Sequence, residues 1–321
     1  MSDGTAPPLA PPLKGKGKTE FRRASLSTGA TLNVALSGDR EKPAVILLHG
    51  FPESHRTWRD LGPRLQDQFF LVMPDQRGFA GSDLPQDVDA YKTEVLIDDI
   101  FALAGALGLD RFALVGHDWG GAIAWGAALR EDPRLTRLAI INAPHPVVFQ
   151  KSLLEDADQR AASQYITAFR APGFEKIVEA KGFDWFFETT FARHVDIAEI
   201  ADAERHQYIA DWSQPGAFNA MLNWYRASKA VVPPPGVTVP LPDWLLRAFP
   251  IVKVPTLVIW GMKDAALLPL QLDGLDTLVD DLKIVRLPEA GHFAPWEAAD
   301  QIAAPLEHFL AGQAVANAPA S

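Results

Sequence analysis

The chain contains no cysteine in its 321 residues. That excludes disulfide staples, thiolate metal sites and a cysteine nucleophile together. It also lacks an excess of positive charge: 30 Lys and Arg face 40 Asp and Glu, for a net −10. A field of that sign repels phosphate backbones and anionic lipid, so neither nucleic acid nor a membrane is the expected partner. No apolar run approaches the ~18 residues that a bilayer-spanning helix needs. The N-terminal stretch MSDGTAPPLAPPLKGKGKTE has no apolar segment of signal-peptide type, which makes a cytoplasmic location the expectation. Tyrosine is scarce at four residues, a shortage that matters below.

Against these absences stand 48% apolar and 22% charged residues, the balance of a soluble globular protein. A chain this long buries roughly three quarters of its unfolded surface and needs no staples. Residues 1–19 and 313–321, rich in Pro, Gly and small residues, have little to bury and read as disordered tails.

Between the tails, two strand-like stretches, FRRASLS and TLNVALS, flank Thr28-Gly29, a hairpin signal. Short apolar runs follow: AVILLHG (44–50), FFLVMPD (69–75), FALVGHD (112–118), RLAIINA (137–143), TLVIWG (256–261) and KIVRLPE (283–289). Continuous apolar strands mark a parallel sheet covered on both faces. Helix-period segments such as KTEVLIDDIFALAGALG lie between several of them. The alternation predicts an α/β fold with a mostly parallel, doubly wound sheet. Residues 146–250 break the pattern with helical, aromatic-rich sequence that ends in VVPPPGVTVPLP. An insertion of that length is too long for a loop and is expected to be a packed helical cap. The division is therefore a core of 20–145 and 251–312 with a cap at 146–250.

The segment Gly116-His117-Asp118-Trp119-Gly120-Gly121 follows an apolar strand and opens a helix. That is the context of a G-x-nucleophile-x-G elbow, with Asp118 at the exposed position and no G-x-S-x-G elsewhere. The plainer reading makes Asp118 an N-cap of the following helix. As a nucleophile it differs from serine, because a carboxylate is ionised at pH 7 and needs no base to attack. Attack on an ester would give an anhydride. Attack on a saturated carbon that bears a leaving group gives an ordinary enzyme-bound ester, which water then hydrolyses. Epoxides and alkyl halides are suitable electrophiles.

Of eight histidines, His292 in PEAGHF follows the last apolar strand and is the candidate to activate that water. Asp264, after TLVIWG, is the candidate to orient it, completing the chain order nucleophile, acid, histidine. Asp273 and Asp276 are the nearest substitutes. Asn142, at the alternative position after RLAII, cannot serve as an acid. Ester hydrolysis places charge on a carbonyl oxygen, which the backbone N–H groups of Trp119 and Phe51 are expected to receive. His49, Phe51, Pro52 and Trp119 are expected to line the substrate pocket, with Phe51–Pro52 a candidate cis bond.

These pieces together resemble the epoxide hydrolases of the α/β-hydrolase fold, in the soluble type with a helical cap. The resemblance covers roughly Phe21 to Leu310 and rests on HGFPES (49–54), PDQRGFAGSD (74–83), GHDWGG (116–121), NAPHP (142–146), GMKD (261–264) and GHF (291–293). It implies an aspartate nucleophile at Asp118, water activation by Asp264 and His292, and two cap tyrosines that hold the epoxide oxygen. The opening epoxide leaves as an alkoxide, to which a phenol near pKa ~10 donates usefully. YITAFRAPG looks like the first tyrosine motif and LNWYRA the second, giving Tyr165 and Tyr225. The resemblance implies no cofactor or metal, and a small apolar epoxide and water as the partners. It leaves assembly open, a homodimer included.

Haloalkane dehalogenases resemble the chain too but usually carry Asn where Phe51 stands. Fluoroacetate dehalogenases place Arg where Trp119 stands. A ligand-binding hydrolase-fold protein without activity is the third reading, and it has no need of nucleophile, acid and base together.

Overall fold

The computed structural model describes residues 19–315. The tails expected at 1–19 and 313–321 lie almost wholly outside that range. Eight strands form one sheet in the order β1-β2-β4-β3-β5-β6-β7-β8. They are β1 (Glu20–Ser25), β2 (Thr31–Ser37), β3 (Ala44–Leu48), β4 (Phe70–Pro74), β5 (Phe112–His117), β6 (Leu135–Ile141), β7 (Thr256–Gly261) and β8 (Leu282–Leu287). β1 pairs antiparallel with β2, and β2 antiparallel with β4; the remaining pairings are parallel. The hairpin and all six apolar runs are thus strands of an α/β sheet.

The central strands are apolar on both sides because both sides are covered. Along β3, Ala44, Ile46 and Leu48 join one core while Val45 and Leu47 join another. β7 divides the same way, with Val258 and Trp260 on one face and Leu257 and Ile259 on the other. This is the two-residue period of a strand read against two helical layers.

Between β6 and β7 the chain forms the helices Pro146–Glu155, Ala157–Ala162, Gln164–Arg170, Phe174–Lys181, Phe183–Phe191, Asp202–Trp212 and Ala217–Ala227. The proline-rich stretch beyond Ser228 is irregular apart from one turn of 3₁₀ helix at Asp243–Leu246. The helical segment is tied to the sheet by polar bonds. Trp212 Nε1 donates to the Pro52 carbonyl at 2.8 Å, Trp224 Nε1 to the Arg77 carbonyl at 2.9 Å, and Arg56 Nε to Glu204 at 2.7 Å. Among the described residues no helix is long and apolar enough to cross a membrane.

Strand order explains how residues scattered along the sequence meet. Phe51 follows β3, Asp118 follows β5, Asn142 follows β6, Asp264 follows β7 and His292 follows β8. These five strands are successive neighbours and run parallel, so their C-terminal ends form one rim, where open α/β sheets hold their ligands.

Candidate active site

Asp118 joins β5 to the helix Trp119–Ala128 at φ +49° and ψ −121°. That is a rare backbone conformation for a residue with a Cβ, and such strain persists where surrounding structure over-determines it. The surroundings here are glycine. A Cβ on Gly50 would lie 2.4 Å from the Asp118 side chain, and one on Gly120 would lie 2.3 Å from the Leu48 carbonyl oxygen. The Asp118 side chain accepts no capping bond from its own helix. Instead its Oδ1 accepts the Phe51 N–H at 2.8 Å across the turn. The plainer N-cap reading therefore has no hydrogen bond behind it.

The other carboxylate oxygen faces the base candidate: His292 Nε2 lies 3.7 Å from Asp118 Oδ2. His292 Nδ1 bonds Asp264 Oδ2 at 2.7 Å. Asp264 is held at four points. Its Oδ1 accepts the N–H groups of Ala266 and Leu267 at 2.8 and 2.9 Å, and its Oδ2 also accepts Asn142 Nδ2 at 2.9 Å. Asn142 closes a further link by accepting the Gly261 N–H at 2.9 Å. The residue that cannot be the acid thus orients the acid. On the other side, the Gly291 N–H next to His292 donates to Glu297 Oε2 at 2.8 Å.

Burial opposes a charged imidazole at His292, but the Asp264 carboxylate, its hydrogen bond and the Asp118 carboxylate outweigh it and push the ring up to about 9. Burial alone would raise Asp264; the His292 charge, that hydrogen bond and the donors from Leu267 and Asn142 hold it below the usual carboxylate range. The histidine has a stability consequence, because the folded protein binds a proton that the unfolded chain, with its His pKa near ~6.5, releases first. The ion-pair contribution is complete below ~6.5 and is lost as pH rises through about 9. We expect unfolding free energy to fall by on the order of 2–3 kcal/mol across that window. Denaturant unfolding of the protein and of His292→Gln at both ends of the window checks it; an equal slope in the variant refutes the assignment.

The four tyrosines separate cleanly. The Tyr91 hydroxyl donates to the Pro85 carbonyl and the Tyr208 hydroxyl to Glu53, each at 2.7 Å, which gives both a structural use. Burial raises the pKa of Tyr165 and of Tyr225, and the nearby Asp118 carboxylate adds to the rise in both. Their rings stand 6.1 Å apart at 82°. Phe51 lies 5.0 Å from Tyr225, and Trp119 lies 5.1 Å from it, both edge-on, so Tyr225 packs against the residue that donates to Asp118 and the residue that follows it.

Of the residues expected to line the pocket, the structure brings Phe51 and Trp119 to the site. Pro52 is buried behind it and follows a cis Phe51–Pro52 bond, its carbonyl taken by Trp212. His49 is placed differently from Phe51 and Trp119. It is fully buried, with Nδ1 bonded to the Gly50 carbonyl at 2.9 Å and Nε2 accepting the Gln76 N–H at 2.9 Å. Both ring nitrogens are spent shaping the loop, so none is left for a ligand.

Residues 43–299 match the model of the alpha/beta hydrolase fold family. The chain is 31% identical to epoxide hydrolase 3 of Xenopus tropicalis, over 88% of this chain and 75% of that protein. The chain belongs to the epoxide hydrolases of the α/β-hydrolase fold. Among solved structures, an enzyme described among novel epoxide hydrolases from metagenomes of hot environments superposes with a TM-score of 0.85 at 44% identity, covering 92% of this chain and all of that one. The Bacillus megaterium epoxide hydrolase in complex with an inhibitor gives 0.80 at 26% identity, with 91% and 100% covered.

Asn142 and Glu297 enter the site without having been singled out as part of it. Asn142 carried a signal, since a polar residue straight after a core strand sits on the same rim as the other site residues. Its φ of +43° marks it again in the structure. Glu297 carried none, because its partner is a backbone N–H.

Proposed function

We propose that this chain hydrolyses small apolar epoxides to vicinal diols through an ester on Asp118, with 146–250 acting as the cap over the core. One observation carries the reading: a carboxylate at the strand-to-helix turn has the Phe51 N–H on one oxygen and His292 near the other, with the Tyr225 ring against Phe51 and Trp119 and the Tyr165 ring packed on that of Tyr225.

Asp118 attacks an epoxide carbon, the C–O bond of the ring breaks, and Tyr165 and Tyr225 stabilise the oxygen as it takes a proton from a phenol. Forming the ester removes the Asp118 charge, one of the influences that keeps His292 protonated. The ring then gives up its proton more readily, the phenolate takes it to become phenol again, and His292 becomes a base for water. Hydroxide adds to the ester carbonyl, and the N–H groups of Phe51 and Trp119 receive the oxyanion. The intermediate collapses to diol and carboxylate. The hydroxyl proton of the intermediate leaves with the diol, and the proton His292 took from water restores the imidazolium.

A single turnover in ¹⁸O-water tests the scheme. The label should appear in the Asp118 carboxylate and be absent from the first diol formed. Label in the first diol with none on Asp118 would mean direct attack of water on the epoxide and would overturn the proposal.

A further inference from the structure

Arg170 lies outside the site described above, yet every hydrogen bond it makes leads to one end of the helix that carries Tyr225. It closes the helix Gln164–Arg170, five residues after Tyr165. Its Nε donates to the Tyr225 carbonyl at 2.8 Å, its Nη1 to the Ala230 carbonyl at 2.8 Å and its Nη2 to the Ser228 carbonyl at 3.0 Å. All three acceptors sit at or just beyond the last turn of Ala217–Ala227, whose C-cap is Ser228. The Tyr225 carbonyl also accepts the Ser228 N–H at 3.3 Å, the other two acceptors lie past the last helical residue, and the negative pole of the helix favours a cation. The guanidinium fork fits such a cluster where an ammonium could not reach all three in fixed geometry.

The clamp joins the helix of one phenol to the carbonyl of the other. Phe169, next to Arg170, packs against both phenols, its ring 5.6 Å from Tyr165 and 5.0 Å from Tyr225. The placement of the two rings is therefore constrained by a bond and a shared packing partner on adjacent residues.

We infer that Arg170 is a positioning residue for the phenol pair, holding Tyr165 and Tyr225 so that both hydroxyls reach one epoxide oxygen. The inference rests on the proposed role of the tyrosines. Misplacing a reacting group by about 1 Å costs up to ~10²-fold in rate, and a loosened clamp moves the phenols by a fraction of that. The effect belongs to ester formation alone, because hydrolysis of the ester uses Asp264, His292 and the backbone N–H groups.

Single-turnover rates of ester formation and of ester hydrolysis should be measured for Arg170→Gln and Arg170→Lys, each made alone and together with Tyr225→Phe. Arg170→Gln is expected to slow ester formation about tenfold and leave ester hydrolysis unchanged. Arg170→Lys should recover part of the loss. In the Tyr225→Phe background Arg170→Gln should cost clearly less than tenfold, because one of the two hydroxyls it positions is gone; that non-additivity is what a purely structural role would not produce. The same fold loss in both backgrounds, equal slowing of both steps, or no slowing at all overturns the clamp. If Arg170→Gln does not fold, the Arg170→Lys cycle decides by the same criteria. A Tyr225→Phe variant that forms ester at the full rate removes the tyrosine role itself, a result distinct from an additive cycle built on a slow Tyr225→Phe.

Discussion

Asp118→Ala is expected to lower turnover of an aryl epoxide by about 10⁴-fold or more, the order lost when a nucleophile is deleted from a site that keeps its other parts. No neighbouring carboxylate can take over. Asp264 is 2% exposed, and its two oxygens already accept four bonds, from Ala266, Leu267, Asn142 and His292. Glu53 is buried, and its Oε1 is held by the Tyr208 hydroxyl and by Trp296 Nε1. The fold should survive, because the Asp118 side chain makes no capping bond and its backbone is strained by its positive φ. Steady-state kinetics with a thermal melt as control provide the measurement. A variant that melts normally and keeps more than about a hundredth of the activity would mean that bond-making lies elsewhere.

His292→Gln separates the two halves of the reaction. Glutamine cannot take a proton from water, so ester hydrolysis should slow by about 10²–10⁴-fold, the usual contribution of a general base. Ester formation needs no base, since the attacking group is already an anion. The variant should therefore complete one alkylation and stop. Intact-protein mass after mixing with an aryl epoxide should show one adduct per chain, and peptide mapping should locate it on Asp118. Absence of any adduct, with epoxide unconsumed, contradicts a covalent route. An adduct on another carboxylate reassigns the nucleophile. The glutamine leaves Asp264 buried without its cation, so the variant should also be less stable than the parent protein near neutral pH.

Much of this architecture was legible along the chain because its signals are local. Apolar runs such as AVILL and TLVIW are strands buried on both faces, and they occupy the expected positions as β3 and β7. The rim residues were legible for a related reason. In a parallel sheet every strand points its C-terminal end the same way, so a polar residue just after an apolar run falls on the shared rim. What the sequence hid are bonds between elements far apart in it. Asn142 and Asp264 are separated by 122 residues and meet because β6 and β7 are neighbours. The bonds of His49 were hidden in the same way: its ring is held by the N–H of Gln76, on the loop after β4. Arg170 carries no motif of its own; its three acceptors are carbonyls, which every residue has.

The bonds from Trp212, Trp224, Tyr208 and Arg56 pin the helical segment to the loops after β3 and β4 at several separate points. Such a roof does not swing open as one piece: admitting a bulky molecule by hinging would break several buried contacts in concert. With the segment acting as the proposed cap, passage in and out is expected to depend on rotamer changes of individual rings rather than on hinging. The range of molecules accepted would be tuned by trimming or enlarging individual doorway side chains, with the length of the surrounding segment having little influence.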